Sequence, residues 1–245
     1  MFLSIITVTR NAENYIKSTF DSIINQSFKD YELILIDGDS TDNTLNYAKL
    51  YESQISDFVI LSEPDHGIYD AMNKGVSVAK GDYIYFLNAG DELYNDETLE
   101  TIHRFISDSG IRNNVIFQGS VIKNGKVLQF PDRFVKWKWI YLEHAFFCHQ
   151  GIISSNDTLK NYRFDINLKV CADRDWLIRV MENAGIYITM NDIIVAKYMG
   201  GGISNGYRNQ QADQLVISKR YGGIKAWVFV KIKREIGRLM GHARN

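Results

Sequence analysis

Short apolar runs alternate with amphipathic stretches along the first third of the chain. Residues 2–9, 31–37, 58–61 and 82–87 are runs rich in Ile, Leu, Val, Phe and Tyr, and the first has too many internal apolar positions for an exposed edge strand. Between these runs, apolar residues recur every three or four positions, which predicts helices. They are Ile16, Phe20, Ile23 and Ile24, then Leu45, Ala48 and Tyr51, then Met72, Val76 and Ala79. Strands that alternate with helices predict an α/β protein with a parallel sheet, and Ser40 or Thr41 is the predicted cap of the second helix.

Polar residues follow each predicted strand. The four groups are Thr9-Arg10-Asn11, Asp37 with Asp39, Asp65 with Asp70, and Asn88 with Asp91. In a right-handed βαβ arrangement the carboxyl ends of the strands lie along one edge of the sheet, so these groups should converge on one crevice. Acids outnumber bases in that crevice. A divalent cation would offset the repulsion between these carboxylates and a negatively charged phosphate ligand.

Asp91 stands at the tip of a short turn directly after the fourth strand. A carboxylate at that place is a candidate ligand for a hard cation shared with phosphates. Asn, Gly and Asp are also the usual residues of β-turns, so a purely conformational role is the alternative.

Five segments in this order resemble the motifs of family 2 glycosyltransferases. They are residues 5–11 (IITVTRN), 33–42 (LILIDGDSTD), 65–75 (DHGIYDAMNKG), 81–91 (GDYIYFLNAGD) and 172–179 (ADRDWLIR). The resemblance spans roughly residues 1–205. It implies an α/β, GT-A-like (Rossmann-like) fold with a mostly parallel central sheet flanked by helices. It also implies a nucleotide-sugar donor, inversion at the anomeric carbon and Mn²⁺ or Mg²⁺.

The same resemblance assigns residues to the donor site. Transferred position by position, the donor-binding residues are Thr7, Val8, Thr9, Arg10, Asn11, Asp37, Asp39, Asp65, Asp70, Asn73, Lys74, Asn88, Ala89 and Gly90. The family commonly has Asp-x-Asp-Asp where this chain has residues 88–91 (NAGD), so the last carboxylate alone is kept. The position that most often binds the metal falls on Gly90. Asp91 is therefore the metal candidate by proximity rather than by strict alignment.

Asp173 matches the catalytic Asp of the family. Displacement of a nucleoside diphosphate by a sugar hydroxyl develops oxocarbenium character and releases a proton, so a base must face the donor. Asp173 also lies at the start of a predicted helix that buries Trp176, Leu177 and Val180, and an Asp there could instead cap the helix. Asp175 is the nearest competitor for the role of base and is otherwise expected on the acceptor side.

His149 and Gln150 lie where relatives often place acceptor-binding residues. A single His beside aromatic residues is otherwise a hydrogen-bonded core residue. His144, Cys148 and His149 do not predict zinc, because no second Cys/His pair stands at zinc-finger spacing.

The composition is that of a soluble enzyme. The chain has 245 residues, and 45% of them are hydrophobic, enough for one large domain. Cys148 and Cys171, without a secretory signal, predict reduced thiols and a cytoplasmic protein. No apolar run reaches the length of a membrane span.

We predict three divisions within this chain. Residues 1–110 form the nucleotide-sugar-binding half, and residues 111–218 form the acceptor-binding half of the same domain. The aromatic run 134–141 is expected to shape the acceptor pocket, and the Gly-rich loop 199–205 either closes over the donor or simply connects two elements. Residues 219–245 form a basic amphipathic C-terminal helix.

Charge is concentrated in that C-terminal segment. Residues 219–245 hold eight Lys/Arg and one acid, Glu235, for a net charge of +7, while the rest of the chain carries −8. Apolar residues recur there every four positions, at Ile224, Val228, Ile232, Ile236 and Met240. Such a helix over residues 223–245 can lie on an anionic membrane surface, or it can pack its apolar side on the domain. The acidic body argues against nucleic acid as a partner.

The sequence predicts an enzyme that moves a sugar from a nucleotide donor, with a UDP-sugar expected, to a saccharide acceptor. A polyprenyl-pyrophosphate-linked acceptor and a bacterial O-antigen, capsule or exopolysaccharide pathway follow from the resemblance. The protein would then work in the cytoplasm or at the inner face of the cytoplasmic membrane. The alternatives are a noncatalytic nucleotide-sugar-binding protein, favoured by the depleted carboxylates, and a nucleotidyltransferase, which normally has a Gly-rich, basic first loop that residues 9–11 lack.

Overall fold

The fold is an α/β sheet structure with helices on both faces. The computed structural model describes residues 1–130, 148–183, 185–198 and 207–242, with the backbone alone at 207–208 and 233–242. The strands are β1 (Leu3–Thr9), β2 (Tyr31–Asp37), β3 (Phe58–Ser62), β4 (Tyr83–Phe86), β5 (Glu92–Leu93), β6 (Val115–Lys123), β7 (Lys126–Leu128), β8 (Ile152–Ser155) and β9 (Ile186–Tyr198). The helices are α1 (Ile16–Ile24), α2 (Thr44–Lys49), α3 (Ile68–Val78), α4 (Thr98–Ser109), α5 (Asn156–Asn161), α6 (Ala172–Glu182) and α7 (Tyr207–His242). Residues 134–141 and 199–205, for which we predicted functional roles, lie outside these ranges, as does His144.

One sheet runs through both halves of the chain. Its order within the described residues is β3-β2-β1-β4-β8-β6-β9-β5, with β7 paired to β6. The β3, β2, β1 and β4 strands are parallel, as predicted. The β8 strand then runs antiparallel to both β4 and β6, while β6 and β9 are parallel. The predicted α/β, GT-A-like fold is confirmed, with a sheet that is parallel in its first half and mixed in its second.

Both faces of β1, β2 and β4 are buried, which explains their continuous apolar runs, whereas β3 is a partly exposed edge strand. Successive side chains of a strand point to opposite faces, so Leu3 and Ile5 join one core cluster, while Ile6 and Val8 join the other. The first cluster lies under α1, α2 and α4, and the second lies under α3 and α6. Every residue of β1 and β2 is buried.

The start of α2 differs from the prediction. Neither Ser40 nor Thr41 is the helix cap, because α2 begins at Thr44 and Asn43 precedes it. The Ser40 hydroxyl donates to Asp37 instead, and the Thr41 amide donates to Asn11. These two residues therefore bind the neighbouring loops together, and Asp42 accepts the first free amide of the helix, that of Thr44.

Helix α7 has two parts with different surroundings. Gly223 interrupts it with a positive φ of 66°. Before this kink, Asp213 and Ile217 are buried and Arg220 bonds to α6. After it, Ile224, Val228, Phe229 and Ile232 are 41–72% exposed. Within the described residues, no helix is both long enough and apolar enough to cross a membrane.

Candidate active site

The parallel register brings three strand ends together. Thr9, Asp37 and Ser62 are direct neighbours across β1, β2 and β3. Asp37 is fully buried, and its carboxylate accepts hydrogen bonds from the Ser40 amide at 2.9 Å, the Ser40 hydroxyl and the Ser62 hydroxyl at 2.7 Å. Asp37 therefore holds the β2–α2 turn in place at the edge of the sheet.

The loops after β1 and β2 are joined in the same way. Asn11 and Asp39 both have positive φ, at 51° and 60°. The Asn11 amide donates to Ser40 Oγ at 2.8 Å, and the Asn11 side-chain oxygen accepts from the Thr41 amide at 2.9 Å. Asp39 projects from this joined pair of loops as an exposed carboxylate.

The loop after β3 reaches the same place. A Cβ added at Gly38 would collide with Asp65 Oδ2 and would lie 3.6 Å from Arg10 Cβ. The predicted convergence of the first three strand-end groups is thus present in the structure. It puts the exposed Arg10 and the Asp65 carboxylate on either side of Gly38.

Asp70 and Lys74 lie on the first two turns of α3, one turn apart. The Lys74 ammonium is 3.8 Å from Asp70 Oδ2 and 2.8 Å from Glu63 Oε1, and it also donates to the Pro64 carbonyl. The hydrogen bond to Glu63 is the largest cause of a raised pKa for Lys74. Lys74 therefore stays charged at this border of the crevice.

Three of the predicted donor-binding residues use their side chains for contacts within the protein rather than at the surface of the crevice. The buried Thr7 hydroxyl donates to the Leu87 carbonyl at 2.8 Å, and Val8 belongs to the core under α3 and α6. Asn73 uses its amide group on the backbone of Phe164, at 2.9 and 3.0 Å. By contrast, the buried Thr9 hydroxyl has no partner within the described residues.

Asp173 lies on the first turn of α6 with its side chain 20% exposed. Its Oδ1 accepts hydrogen bonds from the Tyr69 hydroxyl at 3.3 Å and the Arg174 amide at 2.8 Å. Burial, followed by the charge of Asp173, raises the pKa of Tyr69 well above its ordinary value, so Tyr69 remains a donor. Asp173 is not the helix cap, because Cys171 occupies that position.

His149 lies between Asp173 and the loop after β4. Its Nδ1 is 3.5 Å from Asp173 Oδ2, and its Nε2 is 3.2 Å from the Asn88 side-chain nitrogen. His149 belongs to a single turn of 3₁₀-helix over His149–Gly151 and is 24% exposed. The structure thus brings a predicted donor residue, a predicted acceptor residue and the predicted base into one row.

Gln150 points the other way, toward Asp91. Its amide nitrogen donates to Asp91 Oδ2 at 3.2 Å, while its side-chain oxygen accepts from the Cys148 thiol. Asp91 is 5% exposed. Burial raises the pKa of Cys148 to about 12, so this cysteine is a neutral thiol. Cys148 and Cys171 are both free.

The described residues do not form a resident metal centre. No three of their His, Cys, Asp or Glu side chains gather at metal-binding distance, and residues 88–90 supply no carboxylate beside Asp91. Mg²⁺ and similar ions are often held by one protein carboxylate together with substrate phosphates. Of residues 88–91, Asp91 is the one that would supply a carboxylate to such an ion.

Asp175, two residues after Asp173, has a different environment. It is 0% exposed and accepts hydrogen bonds from Arg179 at 2.8 Å, Arg220 and Tyr221 at 2.7 Å. This network joins α6 to α7 away from the crevice. Of the two acids, Asp173 is the one with exposed surface.

Sequence reasoning missed three residues around the base. The Tyr69 hydroxyl donates to the Val170 carbonyl at 2.6 Å, with Asp173 Oδ1 as a second, longer acceptor at 3.3 Å. Asp213 accepts from the Val170 and Cys171 amides, and Arg220 donates to Asp175 and Asp165. Asp213, from α7, satisfies the amides at the start of α6. The signal in the sequence for Asp213 was its place within an amphipathic helix. An acid that is buried there needs hydrogen-bond donors from a neighbouring element.

Comparison with known proteins decides the family. The model of Glycosyl transferase family 2 matches residues 4–171. The chain belongs to this family. A "PGL/p-HBAD biosynthesis glycosyltransferase" of Mycobacterium bovis BCG is 31% identical over 223 residues, which are 89% of this chain and 86% of the relative. The chondroitin synthase of Pasteurella multocida is 35% identical over 129 residues, which are 50% of this chain and 13% of that enzyme.

Solved structures show the same fold. The crystal structure of S. aureus TarS 1–349 with UDP-GlcNAc matches with a TM-score of 0.70 at 19% identity, covering 90% of this chain and 71% of that one. The mannosyltransferase PcManGT from Pyrobaculum calidifontis, in complex with GDP-Man and Mn²⁺, matches with a TM-score of 0.65 at 16% identity, covering 93% and 69%.

The family match decides among the functions that the sequence left open. This protein is a family 2 glycosyltransferase, so the noncatalytic and nucleotidyltransferase alternatives fall away. Proteins of the same fold bind UDP, UDP-GlcNAc and GDP-Man.

Proposed function

We propose that this glycosyltransferase transfers a sugar from a UDP-sugar to a saccharide hydroxyl with inversion, and that Asp173 is the base. The observation that carries the proposal is the setting of Asp173. Its Oδ1 is held by Tyr69 and the Arg174 amide, while Oδ2 lies on the side of His149 in a partly exposed position. A fixed carboxylate with one oxygen available is what proton removal from an acceptor hydroxyl requires.

The reaction is a single displacement. The acceptor oxygen forms a bond to the anomeric carbon as its proton moves to Asp173, and the bond from that carbon to the diphosphate oxygen breaks with its electron pair. Attack opposite the leaving group gives inversion. Arg10 and Lys74, at two borders of the crevice, are the cations proposed to meet the diphosphate.

In this proposal the donor and the acceptor bind at opposite ends of the crevice. Residues 1–110 bind the donor through Asp39 and Asp65, on loops that the buried Asp37 holds in place. Residues 111–218 bind the acceptor beside His149 and Gln150. A lipid-linked saccharide acceptor in bacterial surface-polysaccharide synthesis fits this arrangement, because a helix rich in Lys and Arg follows the acceptor half.

Mn²⁺ or Mg²⁺ is the proposed cofactor, carried by the donor and met by Asp91. When bound, the ion would neutralise charge on the diphosphate. Adding Mn²⁺ to EDTA-treated protein should raise turnover, and Asp91→Asn should lose that stimulation while its thermal melting curve confirms the fold. Full turnover in excess EDTA would remove the ion from the mechanism.

Product formation tests the main proposal directly. UDP- and GDP-sugars are screened against short lipid-pyrophosphate saccharides, with product mass and anomeric configuration as the readouts. We expect one UDP-sugar to give a product of inverted configuration that Asp173→Asn does not form. A retained configuration, or undiminished transfer by Asp173→Asn, would contradict the mechanism.

The helix after Gly223 is proposed to bind anionic lipid. Ile224, Val228 and Ile232 present exposed apolar side chains on one side, and Lys225 and Lys231 lie among them in sequence. An apolar side combined with excess positive charge is typical of helices that lie in a membrane interface. Each Lys or Arg near anionic lipid adds about 1 kcal/mol, a contribution that salt screens.

Vesicle sedimentation tests this part independently of catalysis. The full chain should bind phosphatidylglycerol vesicles at low salt and release them at high salt, whereas phosphatidylcholine vesicles should bind much less. Ser at positions 224, 228 and 232 should abolish binding and leave transfer to a soluble acceptor unchanged. A full chain that ignores anionic vesicles at low salt would show that the lipid proposal is wrong.

A further inference from the structure

A row of three polar side chains links the donor side of the crevice to the base. Asn88 follows β4, His149 lies on the 3₁₀ turn and Asp173 lies on α6. The two junctions measure 3.2 Å and 3.5 Å. Since the three segments are far apart in the sequence, the fold alone creates this row.

The Asn88 side chain and His149 meet through nitrogen atoms, so the contact is a hydrogen bond in one tautomer of the neutral imidazole. The Asn88 amide nitrogen faces Nε2, and an amide N–H can donate only to a ring nitrogen that bears a lone pair. In the neutral imidazole the proton then lies on Nδ1, which faces Asp173 Oδ2. The imidazole thus presents an N–H group to the carboxylate.

Asp173 is consequently oriented from both sides, and its Oδ2 keeps a lone pair for the acceptor proton. Tyr69 and the Arg174 amide bond to Oδ1, and His149 approaches Oδ2. A carboxylate fixed in this way keeps one orientation while the acceptor hydroxyl approaches, and small misplacements of a catalytic group are costly.

We propose that His149 is a positioning residue that orients Asp173, and that Asn88 selects the tautomer of His149 that can do so. The inference rests on the proposed role of Asp173 as base. The acceptor proton passes to Asp173, and His149 neither gains nor loses a proton. The proposal also gives a reason why this chain has Asn88 where the family commonly has Asp, since a carboxylate cannot donate to Nε2.

Substitution of His149 by Asn and by Gln provides a matched test, because each amide side chain can replace one of the two ring nitrogens. The side-chain nitrogen of Asn can take the place of Nδ1, and that of Gln can take the place of Nε2. Loss of a positioning contact should lower kcat by roughly 10²-fold in His149→Ala and His149→Gln, with the KM for the donor within about twofold. His149→Asn should recover roughly 10-fold of that loss.

Asn88→Asp separates this proposal from a metal role for the same position. It restores the carboxylate common in the family, yet it removes the donor to Nε2. We expect kcat to fall by roughly 10-fold, without new stimulation by Mn²⁺. Higher kcat in Asn88→Asp would overturn the proposal.

A second histidine serves as a control for general effects of substitution. His103, on α4, packs against Phe2 and Phe28, so His103→Ala should keep wild-type kcat in folded protein. Unchanged kcat in His149→Ala, or His149→Gln as active as His149→Asn, would refute the positioning role. If Asp173→Asn itself keeps full turnover, the proposed function fails instead.

Discussion

Asp173 and Asp175 are two residues apart on α6 but have opposite environments. Asp173 is partly exposed beside His149, and Asp175 is fully buried among Arg179, Arg220 and Tyr221. A carboxylate with three donors and no exposed surface serves stability, because its removal leaves those donors without their partner. The two acids should therefore respond to substitution in opposite ways.

The substitution Asp173→Asn should lower kcat at least ~10²-fold and leave the free energy of unfolding nearly unchanged. Asp175→Asn should lower the free energy of unfolding by about 3 kcal/mol, because it breaks a buried ion pair. Urea denaturation and steady-state kinetics on both variants check this. If Asp175→Asn is folded but has no turnover while Asp173→Asn remains active, Asp175 is the base and Asp173 is not.

At this scale, sequence reasoning succeeded where a residue's place follows from a strand end. Asp37 and Asp65 were expected in the crevice from strand-end position alone, and the structure puts them there. Tyr69 could not be found in this way, since its hydroxyl reaches Asp173 across 104 residues of sequence. Periodicity identifies it as a buried helix residue and says nothing about the partner of its hydroxyl.

At the level of elements, the turn between β2 and α2 lies closely against the loop after β3. Gly38→Ala would push its Cβ into the Asp65 carboxylate. Displacement of that loop should raise the KM for the donor roughly 10-fold with a smaller effect on kcat.

A double-mutant cycle isolates the cause of that effect. If the collision is responsible, adding Gly38→Ala to Asp65→Ala should cost no further donor affinity. Equal losses in both backgrounds would show that the Asp65 carboxylate is not involved.

The loop between α5 and α6 contains an acid, Asp165, that pairs with Arg220 of α7. Burial favours a higher pKa for Asp165, but the hydrogen bonds from Arg220 and Asn167 and the charge of Arg220 outweigh burial and lower the pKa. A carboxylate with a lowered pKa in the folded state stabilises the fold above its unfolded pKa of about 3.9 and loses this contribution as the pH falls through the folded pKa.

Asp165→Asn should therefore flatten the loss of stability below about pH 4. Melting temperatures between pH 7 and pH 3 measure it, with the exposed Asp57→Asn as the matched control. If the melting temperatures of wild type and Asp165→Asn fall equally between pH 7 and pH 3, Asp165 does not have this role.

The elements themselves were predictable to different degrees. The β1 to β4 strands and their helices follow from alternation of short apolar runs with helical periodicity, which is a local property of the sequence. The antiparallel β8 and the packing of early α7 on α6 depend on contacts between distant segments. The C-terminal helix was predicted as one basic amphipathic unit, whereas the structure divides it at Gly223.

For the whole molecule, that division predicts how truncation acts. Deletion of residues 223–245 removes exposed apolar side chains and keeps Asp213 and Arg220. The shortened protein should keep its melting temperature and its transfer to a soluble acceptor, while losing vesicle binding. A large fall in melting temperature would show that the helix after the kink supports the fold.

Deletion of residues 207–245 is the matched comparison. It also removes Asp213, which satisfies the amides before Asp173, and Arg220, which pairs with Asp175. This longer deletion should destabilise the protein strongly in urea. Equal stability of the two truncated proteins would contradict a bracing role for the first part of α7.

The kink at Gly223 makes the segment proposed to bind lipid an exchangeable part. Positive φ is readily adopted by Gly and unfavourable for other residues, so the backbone itself separates the part of α7 that packs on α6 from the part that does not. A chimaera in which residues 224–245 are replaced by an unrelated interfacial helix should transfer sugar as before. Its choice of membrane would follow the new segment, so where this enzyme acts and which sugar it transfers can change independently.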